Sequence, residues 1–252
     1  MTDPRISELA ERIKGSKNIV ILTGAGVSTD SGLPDFRSSQ GIYNRDQRLE
    51  YYLSRSYFQQ NPAEFWKHYI DIFQLHTFHE YKPNVSHFVL AELENIGKNV
   101  TIITQNVDGF HQAAGSTNVI EVHGSLLGAA CPVCGESYEI NYKELTQAPV
   151  CEQCESKRYE GHVILQPNIV LYGDAVKGWE QAEKAIVHAD LFIAMGSSLS
   201  VSPVNMFPAL AADAEVPTVL VNNESTIMDK YFDLVLQGQL GEILPRLQQK
   251  LI

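Results

Sequence analysis

Ile19-Val20-Ile21-Leu22-Thr23-Gly24-Ala25-Gly26 carries the reading of the fold. Four aliphatic side chains in a row, with no polar break, fit a short strand buried on both faces. The glycines that follow let the backbone approach a ligand closely. The loop continues Val27-Ser28-Thr29-Asp30-Ser31-Gly32-Leu33-Pro34-Asp35-Phe36-Arg37. Thr29 stands where a dinucleotide fingerprint has its third glycine, so this is not a GxGxxG. A strand leading into such a loop still suits phosphate, with N–H groups at a helix start to hold it. A plain strand-to-helix turn would use the same glycines. Pro34-Asp35-Phe36-Arg37 adds a ring and a guanidinium, and arginine pairs with phosphate through two parallel hydrogen bonds.

Working outward, Val100 to Ile103, Val119 to Val122, Leu191 to Ala194, Thr218 to Val221 and Leu234 to Leu236 read as further strands. Helical stretches over Val85 to Asn95, Trp179 to His188 and Pro203 to Ala212 lie between several of them. Ile6, Leu9, Ala10 and Ile13 repeat at helical spacing ahead of the first strand, and Gly15 ends that helix. Alternation of this kind predicts an α/β protein with a doubly wound parallel sheet covered on both faces. Ligands in such sheets bind at the carboxyl ends of the strands, where connections diverge.

Two segments break the alternation. Residues 38–85 are aromatic-rich, with Phe58, Phe65, Trp66, Tyr69, Phe73 and Phe78, and read as a helical insert. Residues 124–165 hold Cys131-Pro-Val-Cys134 and Cys151-Glu-Gln-Cys154, the only four cysteines of the chain, with sixteen residues between the pairs. The expected division is a nucleotide-binding part of residues 1–37, 86–123 and 166–252, with the two inserts forming a smaller domain against it.

Two CxxC pairs at this separation fit one tetrahedral zinc, and four thiolates leave no open position for water, so the metal is structural. Two disulfides would use the same residues. Met1 to Lys17 is charged and lacks the apolar stretch of a secretory leader. A cytoplasmic location is therefore expected, where thiols stay reduced. No apolar run approaches the roughly 20 residues of a membrane span. A net charge of −11 over 252 residues, without a basic cluster, argues against nucleic acid.

Other polar loops follow the strands. Thr104-Gln105-Asn106-Val107-Asp108-Gly109-Phe110-His111 offers groups that can fix sugar hydroxyls and a carboxamide, or can simply cap the next helix. Of these His111 reads as structural. Glu121-Val122-His123-Gly124 ends another strand, and a histidine there can take a proton at neutral pH. Gly196-Ser197-Ser198-Leu199 and Val221-Asn222-Asn223-Glu224 suit a ribose and a base. Gln166-Pro167-Asn168-Ile169-Val170-Leu171-Tyr172-Gly173-Asp174 is an extended run that can take a peptide by strand addition, or be an ordinary strand.

In their order and spacing these motifs resemble the sirtuin family of NAD-dependent protein lysine deacylases, from Ile19 to about Leu244. The resemblance implies a Rossmann-like large domain, a small domain of zinc ribbon and helical insert, and NAD in the cleft. It implies that Ala25, Thr29, Phe36 and Arg37 line the NAD site, with Phe36 shielding the reactive sugar. Gln105, Asn106, Val107 and Asp108 would hold the nicotinamide end, and Gly196, Ser197, Ser198, Asn222, Asn223 and Leu240 the adenosine end. His123 would be the general base, and Val170, Leu171, Tyr172 and Gly173 would meet an acetyl-lysine protein or peptide. The products would be nicotinamide, O-acetyl-ADP-ribose and free lysine, and action as a monomer is expected.

The chain departs from the family at Tyr172-Gly173-Asp174, usually Phe-Gly-Glu, and at Gln166, often basic. Desuccinylating members carry a Tyr-x-x-Arg in the helical insert; here Tyr69 is followed by Ile72, so acetyl is expected over succinyl. An ADP-ribosyltransferase or NAD hydrolase on the same scaffold is the alternative, disfavoured by the retained His123. A non-catalytic NAD-binding module would leave Phe36, Asp108 and His123 together without a purpose. A dehydrogenase is disfavoured by the missing GxGxxG.

Overall fold

The computed structural model describes residues 3–35, 48–156 and 162–251. The strands, in chain order, are β1 Asn18–Thr23, β2 Asn99–Thr104, β3 Val119–Glu121, β4 Gly124–Ala130, β5 Ser137–Glu139, β6 Gln166–Ile169, β7 Leu191–Met195, β8 Thr218–Asn222 and β9 Leu234–Gln237. Six of them form one parallel sheet in the order β3-β2-β1-β7-β8-β9. Strand β1 lies in the middle, and its neighbours β2 and β7 belong to the two halves that wind away from it. The divergence point therefore falls beside the loops after β1 and β7, where such sheets bind ligands.

The apolar runs form strands because helices cover both faces. One face carries Ile19, Ile21, Ile102, Ile193 and Val221 against the helices Pro4–Gly15, Val85–Asn95 and Leu240–Leu251. The other carries Val20, Leu22, Ile103, Phe192 and Leu220 against Trp179–Val187 and Phe207–Asp213. The opening helix starts where Asp3 accepts the N–H of Arg5 at 3.0 Å, with Pro4 in its first turn, and buries Ile6, Leu9, Ala10 and Ile13. The stretch expected as one helix from Pro203 is a 3-10 turn, Val204–Met206, followed by the helix Phe207–Asp213. Among the described residues no helix is long and apolar enough to cross a membrane.

A second, antiparallel sheet runs β5-β4-β6. Residues 166–169, which the sequence reading assigns to the nucleotide-binding part, pair with β4 instead. Pro167 and Ile169 are buried while Gln166 and Asn168 are only half-buried, the alternation of a two-faced strand. The helices Arg55–Gln60 and Pro62–Ile72 pack on this sheet, and the short helix Leu49–Tyr52 packs on those two. Phe58, Phe65, Trp66 and Tyr69 share one core with Cys131, Cys151, Cys154, Leu165 and Leu171. The indole Nε1 of Trp66 donates to the carbonyl of Leu165 at 2.7 Å. The helical and cysteine-bearing segments are thus one packed unit.

Candidate active site

The loop after β1 turns through two 3-10 segments, Ala25–Val27 and Thr29–Ser31, not into an α-helix. Its amides are largely used within the fold. Gly24 and Gly26 donate to the carbonyls of Met195 (3.2 Å) and Gly196 (2.8 Å), and Val27 and Ser28 close the first turn. The helix-start amides expected for phosphate are therefore not what this loop offers. It offers closeness. A Cβ on Gly196 would lie 2.7 Å from the Val27 nitrogen, and Gly196 sits at φ +56°. Only glycine lets the two loops touch at this point. The result is a backbone cradle over the middle of the sheet, the setting a dinucleotide requires.

Beneath it lies a buried polar chain. The N–H of Asn84 donates to His87 Nδ1 at 3.2 Å, so the neutral ring carries its proton on Nε2. That nitrogen is 3.4 Å from Ser28 Oγ, which donates to Asp108 Oδ2 at 2.7 Å and accepts from Asn106 Nδ2 at 3.1 Å. Asp108 Oδ1 accepts the Phe110 N–H at 2.9 Å. Burial pushes the Asp108 carboxyl up, and the Phe110 N–H and Ser28 hydroxyl oppose that. Burial drives His87 down to about 4. His111 falls to about 3 through burial and then through His87, whose ring is 5.0 Å away. His111 Nε2 lies 2.9 Å from Thr23 Oγ1, so this ring packs the sheet end, as its sequence reading proposes.

A pocket opens above this chain. Ala25, Ser28, Leu33 and Pro34 line it from the first loop, and Asn106, Val107 and Asp108 from the second. Ile72, Phe73, Gln74 and Phe78 close it from the helical segment, with Leu126 of β4. Its walls are apolar and its floor polar, the character of a small-molecule site. Gln105 Nε2 donates to Ser197 Oγ at 2.8 Å and ties the second loop to the third.

His123 lies half-buried between the two sheets, with Nδ1 at 3.0 Å from the carbonyl of Gln105. A carbonyl only accepts, so Nδ1 carries the proton and the Nε2 lone pair is left for chemistry. Burial lowers the pKa of His123, only partly countered by the Gln105 carbonyl, and keeps the ring neutral and able to take a proton.

The remaining expected residues are spread around this centre. Asn222 is buried and donates to the Glu224 carbonyl at 2.7 Å, Leu240 is buried against the Gly196 loop, and Thr29, Ser198 and Asn223 are exposed. Phe36 and Arg37 lie outside the described residues. In the run after β6, Leu171 is buried, Val170 and Tyr172 are half-buried and Gly173 is exposed. The Val170 N–H donates to the His123 carbonyl at 2.7 Å, and the Tyr172 N–H to the Leu53 carbonyl at 3.0 Å. Leu171 is bonded to Asp174 through both its backbone groups. Among the described residues, that leaves the Val170 carbonyl and the Gly173 backbone without an intrachain hydrogen bond. Continuous strand addition along the whole run is therefore blocked, and a peptide would meet it at those two points.

The four cysteines are free thiols whose sulfurs lie within 4.8 Å of one another. Cys131 and Cys154 Sγ are 3.7 Å apart, and Cys134 and Cys151 Sγ are 3.6 Å apart. A tetrahedral zinc with Zn–S near 2.3 Å spaces its sulfurs about 3.8 Å apart, so the set fits that ion. The N–H groups of Val133 and Cys134 point at Cys131 Sγ, and that of Cys154 at Cys151 Sγ, each at 3.4 Å. Such donors support thiolate charge.

Sequence reasoning missed His87 and passed over Ser28 as a loop residue. The available signal was Asn84-x-x-His87 ahead of an apolar run, a capping pattern that fixes the ring.

The model of the Sir2 family matches residues 24–203. An NAD-dependent protein deacetylase of Bacillus cereus is 45% identical over 247 residues, 98% of this chain and 99% of the other. One of Bacillus subtilis is 39% identical over 236 residues, 93% of this chain and 96% of the other. A solved complex of a Sir2 homolog with NAD superposes with a TM-score of 0.86 at 32% identity, covering 100% of this chain and 94% of that one. A Sir2 structure with a deacetylated p53 peptide and 3'-O-acetyl ADP ribose gives 0.87 at 31% identity, covering 97% and 98%.

Proposed function

Because the chain belongs to the Sir2 family, we infer that it is an NAD-dependent protein lysine deacetylase, and we propose how its residues divide the work. The observation that carries the division is the His123 ring, neutral and fixed by the Gln105 carbonyl, with Nε2 unencumbered among the described residues. His123 is the general base that takes a proton from a ribose hydroxyl. NAD supplies the acceptor: its bond to nicotinamide breaks, water completes cleavage of the amide carbon–nitrogen bond of acetyl-lysine, and free lysine and O-acetyl-ADP-ribose leave.

The polar floor of Ser28, Asn106 and Asp108 orients the nicotinamide end, and the Gly24–Gly26 and Gly196 backbones admit the pyrophosphate. Gln105, braced by Ser197, holds the His123 ring through its backbone carbonyl. Asn222, Asn223, Ser198 and Leu240 receive the adenosine end, and the Gly173 backbone meets the peptide. Holding both substrates in line supplies much of the rate by orientation. The apolar pocket walls from Ile72, Phe73 and Leu126 favour acetyl over an acidic acyl group. Zinc on the four cysteines holds the shared core of the small unit and takes no part in the chemistry. Thiolate ligation of zinc suits a reducing compartment, so we place the protein in the cytoplasm.

The test incubates the protein with NAD and an acetyl-lysine peptide and identifies products by mass spectrometry. O-acetyl-ADP-ribose is expected, and His123→Ala is expected to bind NAD unchanged while kcat falls about 100-fold or more. Unchanged turnover in that variant would refute the role of His123. ADP-ribose alone from the wild type would favour an NAD hydrolase.

A further inference from the structure

Gly173 is exposed and sits at φ +97°, between two residues that a single arginine holds. The N–H of Arg55 donates to the Tyr172 carbonyl at 2.9 Å. Its guanidinium grips Asp174 as a fork, Nε to Oδ1 at 2.7 Å and Nη2 to Oδ2 at 2.8 Å. The third nitrogen, Nη1, donates to Gln166 Oε1. Asp174 Oδ2 also accepts the Leu171 N–H at 3.1 Å, and the Asp174 N–H donates to the Leu171 carbonyl at 2.9 Å. The side chains of Arg55 and Asp174 are only 31% and 18% exposed, so water screens the pair weakly. The guanidinium thus pins the run at Gln166 and Asp174 and the Arg55 N–H pins it at Tyr172, and Gly173 is the exposed link left between two pinned neighbours. A lysine has no fork with which to do this.

We propose that Arg55 is a positioning residue for the peptide substrate: it fixes the Gly173 backbone in the orientation the peptide meets. This rests on the reading of Gly173 as a peptide contact. Arg55 itself touches no reacting atom. Gln166 and Asp174 are the two side chains this arginine holds.

The experiment is steady-state kinetics with NAD and an acetyl-lysine peptide on the wild type, Arg55→Ala, Asp174→Asn and the double variant Arg55→Ala/Gln166→Arg. Arg55→Ala is expected to raise the peptide KM about tenfold, with kcat, the NAD KM and zinc content unchanged. Asp174→Asn moves the peptide KM in the same direction by less. In the double variant the new guanidinium starts beside the position Arg55 Nη1 held and reaches Asp174, so the peptide KM returns to within about threefold of wild type. A peptide KM unmoved in both single variants overturns the proposal. So does loss of zinc, or a joint fall in kcat and rise in the NAD KM without rescue, since these mark a merely structural strut. A wild type that does not deacetylate the peptide sinks the deacetylase reading, and this inference with it. Turnover by the wild type with an unmoved KM in the variants sinks the role of Arg55 alone.

Discussion

Lowering the pH from 7.5 to 5.5 should destabilise this protein through the buried pair His87 and His111. Both rings are neutral in the fold, with pKa values pushed to about 4 and about 3 by burial. An unfolded histidine titrates near 6.5. As pH falls the unfolded chain therefore takes up protons first. The stability contributed by the neutral rings is complete above about 6.5 and is lost as pH drops from there towards about 4. At pH 5.5 an unfolded histidine is about ten parts protonated to one, which costs the fold about 1.4 kcal/mol per ring, or about 3 kcal/mol for two. The figure depends little on the folded values, because pH 5.5 lies above both. The assay is urea unfolding at the two pH values, with zinc saturating, on the wild type and His87→Gln. Glutamine at this position can still accept the Asn84 N–H and donate to Ser28, as a capping box allows, but does not titrate. The wild type should lose about 1.4 kcal/mol more than the variant between pH 7.5 and 5.5. Opposing contributions from Asp108 and Glu121, whose carboxyls burial pushes up, cancel in that difference. Equal losses in the two proteins would show that His87 is not held neutral by the fold.

Gly196→Ala should weaken NAD selectively. The new Cβ meets the Val27 nitrogen at 2.7 Å with φ at +56°, so the two glycine loops must part, and the NAD KM should rise about tenfold or more while the peptide KM changes little. Equal NAD affinity by calorimetry would show that the cradle does not seat the pyrophosphate. Cys151→Ser should lower bound zinc from one equivalent to near zero. Because Cys151 sits in the same core as Trp66 and Leu165, proteolysis should then cut the helical and cysteine-bearing segments together, and turnover should fall to background. Full activity in the zinc-free variant would contradict a structural role.

What the sequence made legible follows from how local each signal is. Strands β1, β7 and β8 are buried on both faces, and a near-continuous apolar run is the imprint of that burial. The helix Leu240–Leu251 was not legible, because Pro245 inside it argues for a break. Burial of Leu240, Ile243, Leu244 and Leu247 along one stripe outweighs that local penalty. The motif loops announced Asp108 and His123 by residue type, but not that Ser28 and His87, 59 residues apart, would meet beneath them. Nor does a zinc spacing reveal that its core is completed by Trp66 from another insert. Arg55 is the limiting case. It opens a six-residue helix with nothing in its neighbourhood to mark it, and its partners lie 111 and 119 residues away. A charged side chain declares its chemistry in the sequence, but its partner is chosen by the fold. Residues that position a site from a distance are therefore the ones a motif reading passes over, and here that residue is an arginine holding both neighbours of an exposed glycine.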